Sequence, residues 1–126
     1  MQDYGLVSII TPTWNCAAFI CNTIKSVQAQ TYTNWELLIQ DDCSTDGTDK
    51  VIAPLEDEDI RIKYEANLQN SGADITRNNA LKRAKGRWIA FLDSDDIWKK
   101  DKLDKQLSYM KANNYALTYT AYQKYN

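Results

Sequence analysis

The stretch FLDSDDIW, residues 91 to 98, sets Asp93, Asp95 and Asp96 directly behind an apolar run and ahead of a tryptophan. Carboxylates crowded this closely repel one another and raise each other's pKa. Two kinds of partner relieve that repulsion. A helix N-terminus does so, because aspartate caps the first turn and answers the positive end of the helix dipole. A hard cation does so more fully. Asp93 and Asp95, one residue apart in a turn, direct oxygens to a common point where Mg²⁺ or Mn²⁺ keeps waters and phosphate oxygens as its other ligands. On spacing alone both readings stand.

A second acidic pair, Asp41 and Asp42, ends the segment WELLIQDD. It resembles WIAFLDSDD in being a Trp-led apolar run that reaches acidic residues. The adjoining DDCSTDGT places Asp42, Ser44, Asp46 and Gly47 at the first, third, fifth and sixth positions of a calcium loop. The twelfth position is Ala53, where a bidentate glutamate is required, which excludes an EF-hand. Ser44 and Asp46 read instead as turn and capping residues for a following helix, whereas Asp41 and Asp42, at a strand tip, have no such use. Trp14 and Asn15 follow the first apolar run. An exposed tryptophan there stacks on a nucleobase; a buried one packs with its N–H on backbone. Arg77, in ITRNNAL, is either a phosphate or base contact through its planar fork or a solvated helix residue. Tyr119, Tyr122 and Tyr125 read as packing residues.

Bringing these groups together requires elements that end at one place. GLVSIITP is a short, nearly continuous apolar run stopped by Pro12, the pattern of a strand buried on both faces. Ala17, Ile20, Ile24 and Val27 fall at helical spacing and predict a helix from Ala17 to Gln30, with Asn15 as its cap and Tyr32 to Asn34 as the exit turn. WELLIQ, IRIKY (Ile60, Ile62 and Tyr64 alternating) and RWIAFL are further strands. Gly47 to Leu55 and Ala73 to Lys85 are helical windows, the second stopped by Gly86. Leu103, Leu107 and Met110 form one more helical stripe, and YALTYTAY reads as a closing strand. Alternating strands and helices predict an α/β, doubly wound parallel sheet built by right-handed crossovers. In such a sheet the strand carboxyl ends share one edge, where ligands bind. The acidic tips are therefore expected to meet.

With 126 residues, 44% of them hydrophobic, the chain has material for one core, so residues 1–126 read as a single domain. Its 15 basic residues are scattered among 17 acidic ones for a net charge of −2, which gives no electrostatic footprint for duplex nucleic acid. Cys16, Cys21 and Cys43 have no CxxC spacing, and no histidine exists to complete a zinc set, so they read as reduced, small core residues. MQDYGLVSII shows neither a basic n-region nor an apolar run near the roughly twenty residues that span a bilayer. A cytoplasmic location is expected, with peripheral attachment to the inner face of the membrane left open.

Taken together, VSIITPTWN, SVQAQTYTNWELLIQDDCSTDGT, RNNALKRAKGRWIAFLDSDD and the trailing IWKKDKL resemble the N-terminal half of family 2 glycosyltransferases of the GT-A fold, over nearly the whole chain. The resemblance implies a Rossmann-like GT-A sheet, mostly parallel and sandwiched by helices, present here as a partial domain. It also implies a nucleotide-sugar donor site, most often for a UDP-sugar, used in bacterial cell-surface polysaccharide synthesis with a glycan or lipid-linked acceptor. Carried over by position, Pro12 falls within that site, Trp14 lies on the nucleobase, and Asp42 hydrogen-bonds the base edge with Asp41 beside it. Arg77 stands near the base and phosphates. Asp93 and Asp95 match the DxD pair, Asp93 toward ribose or metal and Asp95 as direct ligand of Mn²⁺ or Mg²⁺, while Asp96 supports the next turn.

In similar enzymes the acceptor base lies beyond the strand after the DxD segment. No catalytic base is assigned here, and the chain is expected to be a donor-binding half that turns over poorly or not at all alone. Two departures from the family pattern are Cys43, where glycine is usual in the DDGSTD-like turn, and Ala80, where glycine often follows the RN pair. A nucleotidyltransferase, the nearest alternative chemistry, calls for a glycine-rich basic loop after the first strand; TPTWNCAAF has neither glycine nor lysine. The other alternative is a non-catalytic module whose carboxylates cap helices or bind a structural ion.

Overall fold

The computed structural model describes residues 2–113. The elements alternate as expected: β1 (Val7–Thr13), α1 (Ile20–Gln28), β2 (Trp35–Asp41), α2 (Thr48–Glu58), β3 (Ile62–Ala66), α3 (Ala73–Arg83), β4 (Trp88–Phe91) and α4 (Lys102–Ala112). The four strands form one sheet in the order β3-β2-β1-β4, and every pairing is parallel. The predicted strand YALTYTAY, with Tyr119, Tyr122 and Tyr125, lies outside the described residues.

The sheet separates two apolar layers because successive side chains on a strand point to opposite faces. Ile9, Leu37 and Ile39 face one side, where Ile20, Ile24 and Val27 of α1, Ile52 of α2, and Leu103 and Leu107 of α4 cover them. Ile10 and Leu38 face the other side, where Ala80 of α3 lies over them with Leu81, Ile89 and Phe91 at the margin. Burial is near complete on β1 and β2. Val7 to Ile10 and Trp35 to Ile39 are at most 3% exposed, and each large aliphatic among them contributes roughly 1.5–3 kcal/mol. The continuous apolar runs therefore mark the two central strands, as a sheet covered on both faces requires.

Topology fixes where a site can form. The chain winds outward from β1 to β2 to β3, then returns through α3 to lay β4 on the opposite side of β1. This reversal makes a crevice at the carboxyl edge beside β1. The register sets Thr13 level with Asp41 and Ile10 level with Phe91. Beyond the ladder, the Asp42 N–H donates to the Thr13 carbonyl at 2.8 Å and the Leu92 N–H to the Ile10 carbonyl at 3.0 Å. Both acidic tips thus flank the end of one strand.

Several boundaries differ from the sequence reading, for identifiable reasons. Helix α1 begins at Ile20, three residues later than expected, and Asn15 does not cap it. Asn15 adopts a left-handed φ of +50° and spends its side chain on a distant loop. Ile60 is 89% exposed and precedes β3, which runs to Ala66 rather than Tyr64. Helix α2 extends to Glu58, beyond Leu55. Helix α3 stops at Arg83, and Gly86 is not its left-handed terminator. A Cβ on Gly86 would sit 2.6 Å from the Ser8 amide nitrogen, so glycine is there to let the α3–β4 connection touch β1. Strand β4 is the shorter Trp88–Phe91. The three cysteines are free thiols, as expected, but each is half-buried rather than in the core. Among the described residues no helix is long and apolar enough to cross a membrane.

Candidate functional site

A cleft of about 400 Å³ opens at the carboxyl edge, lined by Pro12, Thr13, Trp14, Asp42, Asn70, Ala73 and Thr76. Its walls come from the tips of β1 and β2 and from the start of α3. Trp14 is 56% exposed, which decides its open alternative: the ring is not core.

The loop after β1 is held in place laterally. The Asn15 N–H donates to Ser44 Oγ at 2.8 Å, the Thr45 N–H donates to Asn15 Oδ1 at 2.8 Å, and the Ala17 N–H donates to Asp46 Oδ2 at 3.1 Å. Asp46 also accepts from the Thr48 N–H and hydroxyl at the start of α2. That hydroxyl is the main reason the Asp46 carboxyl lies below its ordinary pKa. Cys43 adopts φ +63°, the left-handed conformation that glycine would take without strain, so the departure from the family pattern leaves the turn intact.

Asp41 and Asp42 diverge because neighbouring strand positions face opposite ways. Asp41 is buried on the side of Leu37 and Ile39, where it accepts from the Ser44 N–H at 3.0 Å, the Ser44 hydroxyl and the Tyr64 hydroxyl. Burial, and then the bond to Asp41, push the Tyr64 hydroxyl far above the usual tyrosine range. Asp42 turns to the cleft. Its Oδ1 accepts from the Ser71 N–H at 2.7 Å and Asn67 Nδ2 at 3.0 Å, and its Oδ2 from the Gly72 N–H at 2.9 Å. Burial raises the Asp42 pKa, but the donors, led by the Ser71 amide and Asn67, outweigh it and hold the carboxyl below its ordinary value. Asp42 therefore fastens the 67–72 turn and the N-terminus of α3 against β2.

The tip of β4 is built differently. Asp93 and Asp95 are exposed, and the turn is closed by the Asp96 N–H donating to the Asp93 carbonyl at 3.0 Å. Desolvation by the surrounding turn, then the charges of Asp96 and Asp95, raise the Asp93 pKa, and only Arg77 opposes them. Arg77 is half-buried on α3 and pairs loosely with Asp74 at 3.5 Å. Its positive charge favours the ionised form of Asp93.

Of the predicted residues, Pro12, Trp14 and Asp42 line the cleft, while Arg77 and Asp93 are not among its lining residues. Asp41 is turned away, and Asp95 and Asp96 stand at the β4 tip. Among the described residues no three His, Cys, Asp or Glu side chains converge as a metal cage. Asp93 and Asp95 are exposed carboxylates that accept no hydrogen bond among the described residues, and two hard oxygen donors of this kind suit a divalent ion completed by water and phosphate oxygens. The sequence reading missed Thr13, Asn70, Ala73 and Thr76 as lining residues. The cluster NLQNSG, residues 67 to 72, was the available signal, since such turn-forming runs after a strand mark functional loops.

The profile of glycosyl transferase family 2 matches residues 8–126. The chain belongs to this family. It is 51% identical over 126 residues to the UDP-Glc:alpha-D-GlcNAc-diphosphoundecaprenol beta-1,3-glucosyltransferase WfgD of Escherichia coli, covering all of this chain and 49% of that protein. It is 50% identical over 117 residues to TuaG of Bacillus subtilis (strain 168), a glycosyltransferase assigned to teichuronic acid biosynthesis; the match covers 93% of this chain and 46% of TuaG. The chain thus spans about half the length of these curated relatives. Among solved structures, S. aureus TarS 1-349 in complex with UDP-GlcNAc superposes with a TM-score of 0.80 at 31% identity, covering 86% of this chain and 32% of TarS. The mannosyltransferase PcManGT from Pyrobaculum calidifontis, in complex with GDP-Man and Mn²⁺, gives 0.77 at 25% identity, covering 82% of this chain and 32% of that one. The fold is that of the GT-A glycosyltransferases.

Proposed function

We propose that the chain is the donor-binding half of an enzyme that transfers a sugar from a UDP-sugar to an acceptor hydroxyl during bacterial surface polysaccharide synthesis. The observation that carries this reading is the cleft at the β1 and β2 tips, which presents an exposed Trp14 beside Asp42, while Asp93 and Asp95 stand exposed at the tip of β4 on the other side of β1. WfgD, by its name, uses a UDP-glucose donor and a lipid-linked diphosphate acceptor, and TarS binds UDP-GlcNAc; both support a UDP-sugar and a lipid-linked or glycan acceptor here. A lipid-linked acceptor would be met at the cytoplasmic face of the membrane, by peripheral contact.

In this reading Trp14 stacks on the uracil, as aromatic rings do on bases for about 1–3 kcal/mol. Pro12 and Asp42 form the edge that the base meets, with Asp42 already ionised and held by its donors. Asp41 supports this edge from beneath by fixing Ser44, which in turn fixes the Asn15 amide. Arg77 lies where it answers phosphate charge. Asp95 and Asp93 would hold Mn²⁺ or Mg²⁺. Such an ion supplies Lewis-acid neutralisation of the charge that develops on the departing diphosphate. These residues bind and orient the donor; the base that takes the acceptor proton belongs to the part of the site outside this half.

Calorimetric titration with UDP and with ATP tests the assignment. UDP is expected to bind more tightly than ATP, and Trp14→Ala to weaken UDP about tenfold, the loss of one stacking contact. Tighter binding of ATP, or no effect of Trp14→Ala, would overturn it.

A further inference from the structure

The residue between the two candidate metal aspartates points the other way. Ser94 is only 8% exposed, and its hydroxyl lies 2.8 Å from Cys16 Sγ. Cys16 Sγ also lies 3.3 Å from the Trp14 carbonyl, which it can only meet as a donor. With its single thiol proton directed to Trp14, the sulfur must accept from Ser94. A chain of two bonds therefore runs from the Asp93–Asp95 turn to the backbone of the tryptophan. The Ser94 carbonyl is fixed as well, accepting from the Thr23 hydroxyl of α1 at 3.0 Å in a buried contact. Trp98, just beyond, donates its backbone N–H to Ser26 Oγ at 3.2 Å, so the segment follows α1 closely. Because consecutive residues of the turn project to different sides, pinning Ser94 inward presents Asp93 and Asp95 outward.

We propose that Ser94 is a positioning residue that, anchored to α1 by Thr23, couples the Asp93–Asp95 turn through Cys16 to the Trp14 loop, so that cation binding at one and nucleobase binding at the other are cooperative. The proposal rests on the donor-site reading above and goes beyond it. Neither Ser94 nor Cys16 need touch the ligand. A cation that draws the two carboxylates together fixes the turn, the fixed turn holds Cys16, and Cys16 holds the Trp14 carbonyl. Linkage makes the effect reciprocal.

The test is the ratio of UDP dissociation constants measured in EDTA and in saturating Mn²⁺. It is compared among the wild-type chain, Ser94→Ala, Cys16→Ala, Cys16→Ser and Thr23→Val, each checked for folding by circular dichroism. Ser94→Ala and Cys16→Ala should lower the ratio by about three- to tenfold, the equivalent of one hydrogen bond, with metal-free UDP affinity changed by no more than about twofold. Cys16→Ser keeps a donor for Trp14 and an acceptor for Ser94, and should retain the wild-type ratio, which a purely structural role of the cysteine would not require. Thr23→Val loosens the same turn from α1 and reads the coupling where Ser94→Ala fails to fold. A wild-type ratio that survives Ser94→Ala, Cys16→Ala and Thr23→Val overturns this inference alone. Absence of any metal dependence in wild type overturns the metal-assisted donor reading and the inference together.

Discussion

The tips of β2 and β4 read alike in sequence and are opposite in physics. Asp41 and Asp42 are 1% and 6% exposed, and every carboxylate oxygen of the pair accepts at least one protein hydrogen bond. Asp93 and Asp95 are exposed, and their carboxylates accept no hydrogen bond among the described residues; for Asp93, neighbouring negative charges make ionisation harder. One pair has its charge satisfied by the fold, so it is architecture that also shapes a cleft wall. The other keeps its charge available for something that arrives. Acidic residues at a strand end thus acquire meaning only through the donors around them.

The largest expected effect breaks the comparison on stability. Asp41→Ala strips partners from the Ser44 amide, the Ser44 hydroxyl and Tyr64, and should cost about 3–4 kcal/mol in urea unfolding, as loss of a buried hydrogen-bonded charge does. Asp95→Ala, at the exposed tip, should stay within about 0.5 kcal/mol in metal-free buffer. Equal losses at the two tips would dissolve the distinction.

A smaller effect sharpens it through pH. The folded pKa of Asp42 lies below its unfolded value, so its contribution is present above that unfolded value, about 4, and fades as pH falls through the folded pKa. Asp93 has the reverse sign. Its folded pKa is raised, so its contribution is complete below about pH 4 and is lost as pH rises through the folded value. Asp93→Asn should therefore stabilise the metal-free chain near neutral pH, and the gain should vanish below about pH 4 in chemical unfolding followed across pH. A gain that grows on acidification would contradict the sign.

The smallest effect concerns the turn after β2. Cys43 holds φ +63° at a cost of about 1 kcal/mol for a side chain in that region, part of which its thiol recovers by donating to the Asn67 carbonyl at 3.2 Å. Cys43→Gly should raise the unfolding midpoint by the equivalent of about 0.5 kcal/mol, the strain relieved less glycine's extra chain entropy. A fall of similar size would mean that the thiol bond outweighs the strain.

These contrasts also mark what sequence could carry. The continuous apolar runs of β1 and β2 and the stripe of Leu103, Leu107 and Met110 were legible because burial follows local periodicity: Val7 to Ile10, Trp35 to Ile39 and the three residues of the stripe are all buried. The opposite facings of Asp41 and Asp42 were legible in principle from the two-residue period of a strand, since Asp41 follows Leu37 and Ile39 onto one face. The start of α1 was not. Asn15 gives up capping for a contact thirty residues away, which no local pattern encodes. The reason for Gly86 was equally hidden, because it lies in the approach of Ser8 from another strand. Glu36 shows the same limit: it is 3% exposed because it binds the Ser8 hydroxyl, Lys63 and the Lys85 amide, partners from other segments of the chain.

In the proposed reading a cation enters the donor site at the β4 tip and not at the β2 tip. The most direct test is the affinity of the wild-type chain and of Asp95→Asn for UDP, with and without Mn²⁺. Mn²⁺ should tighten UDP binding to the wild type, and Asp95→Asn should lose most of that gain while binding UDP normally without metal. Metal dependence that persists in Asp95→Asn, or a wild type indifferent to Mn²⁺, would contradict it.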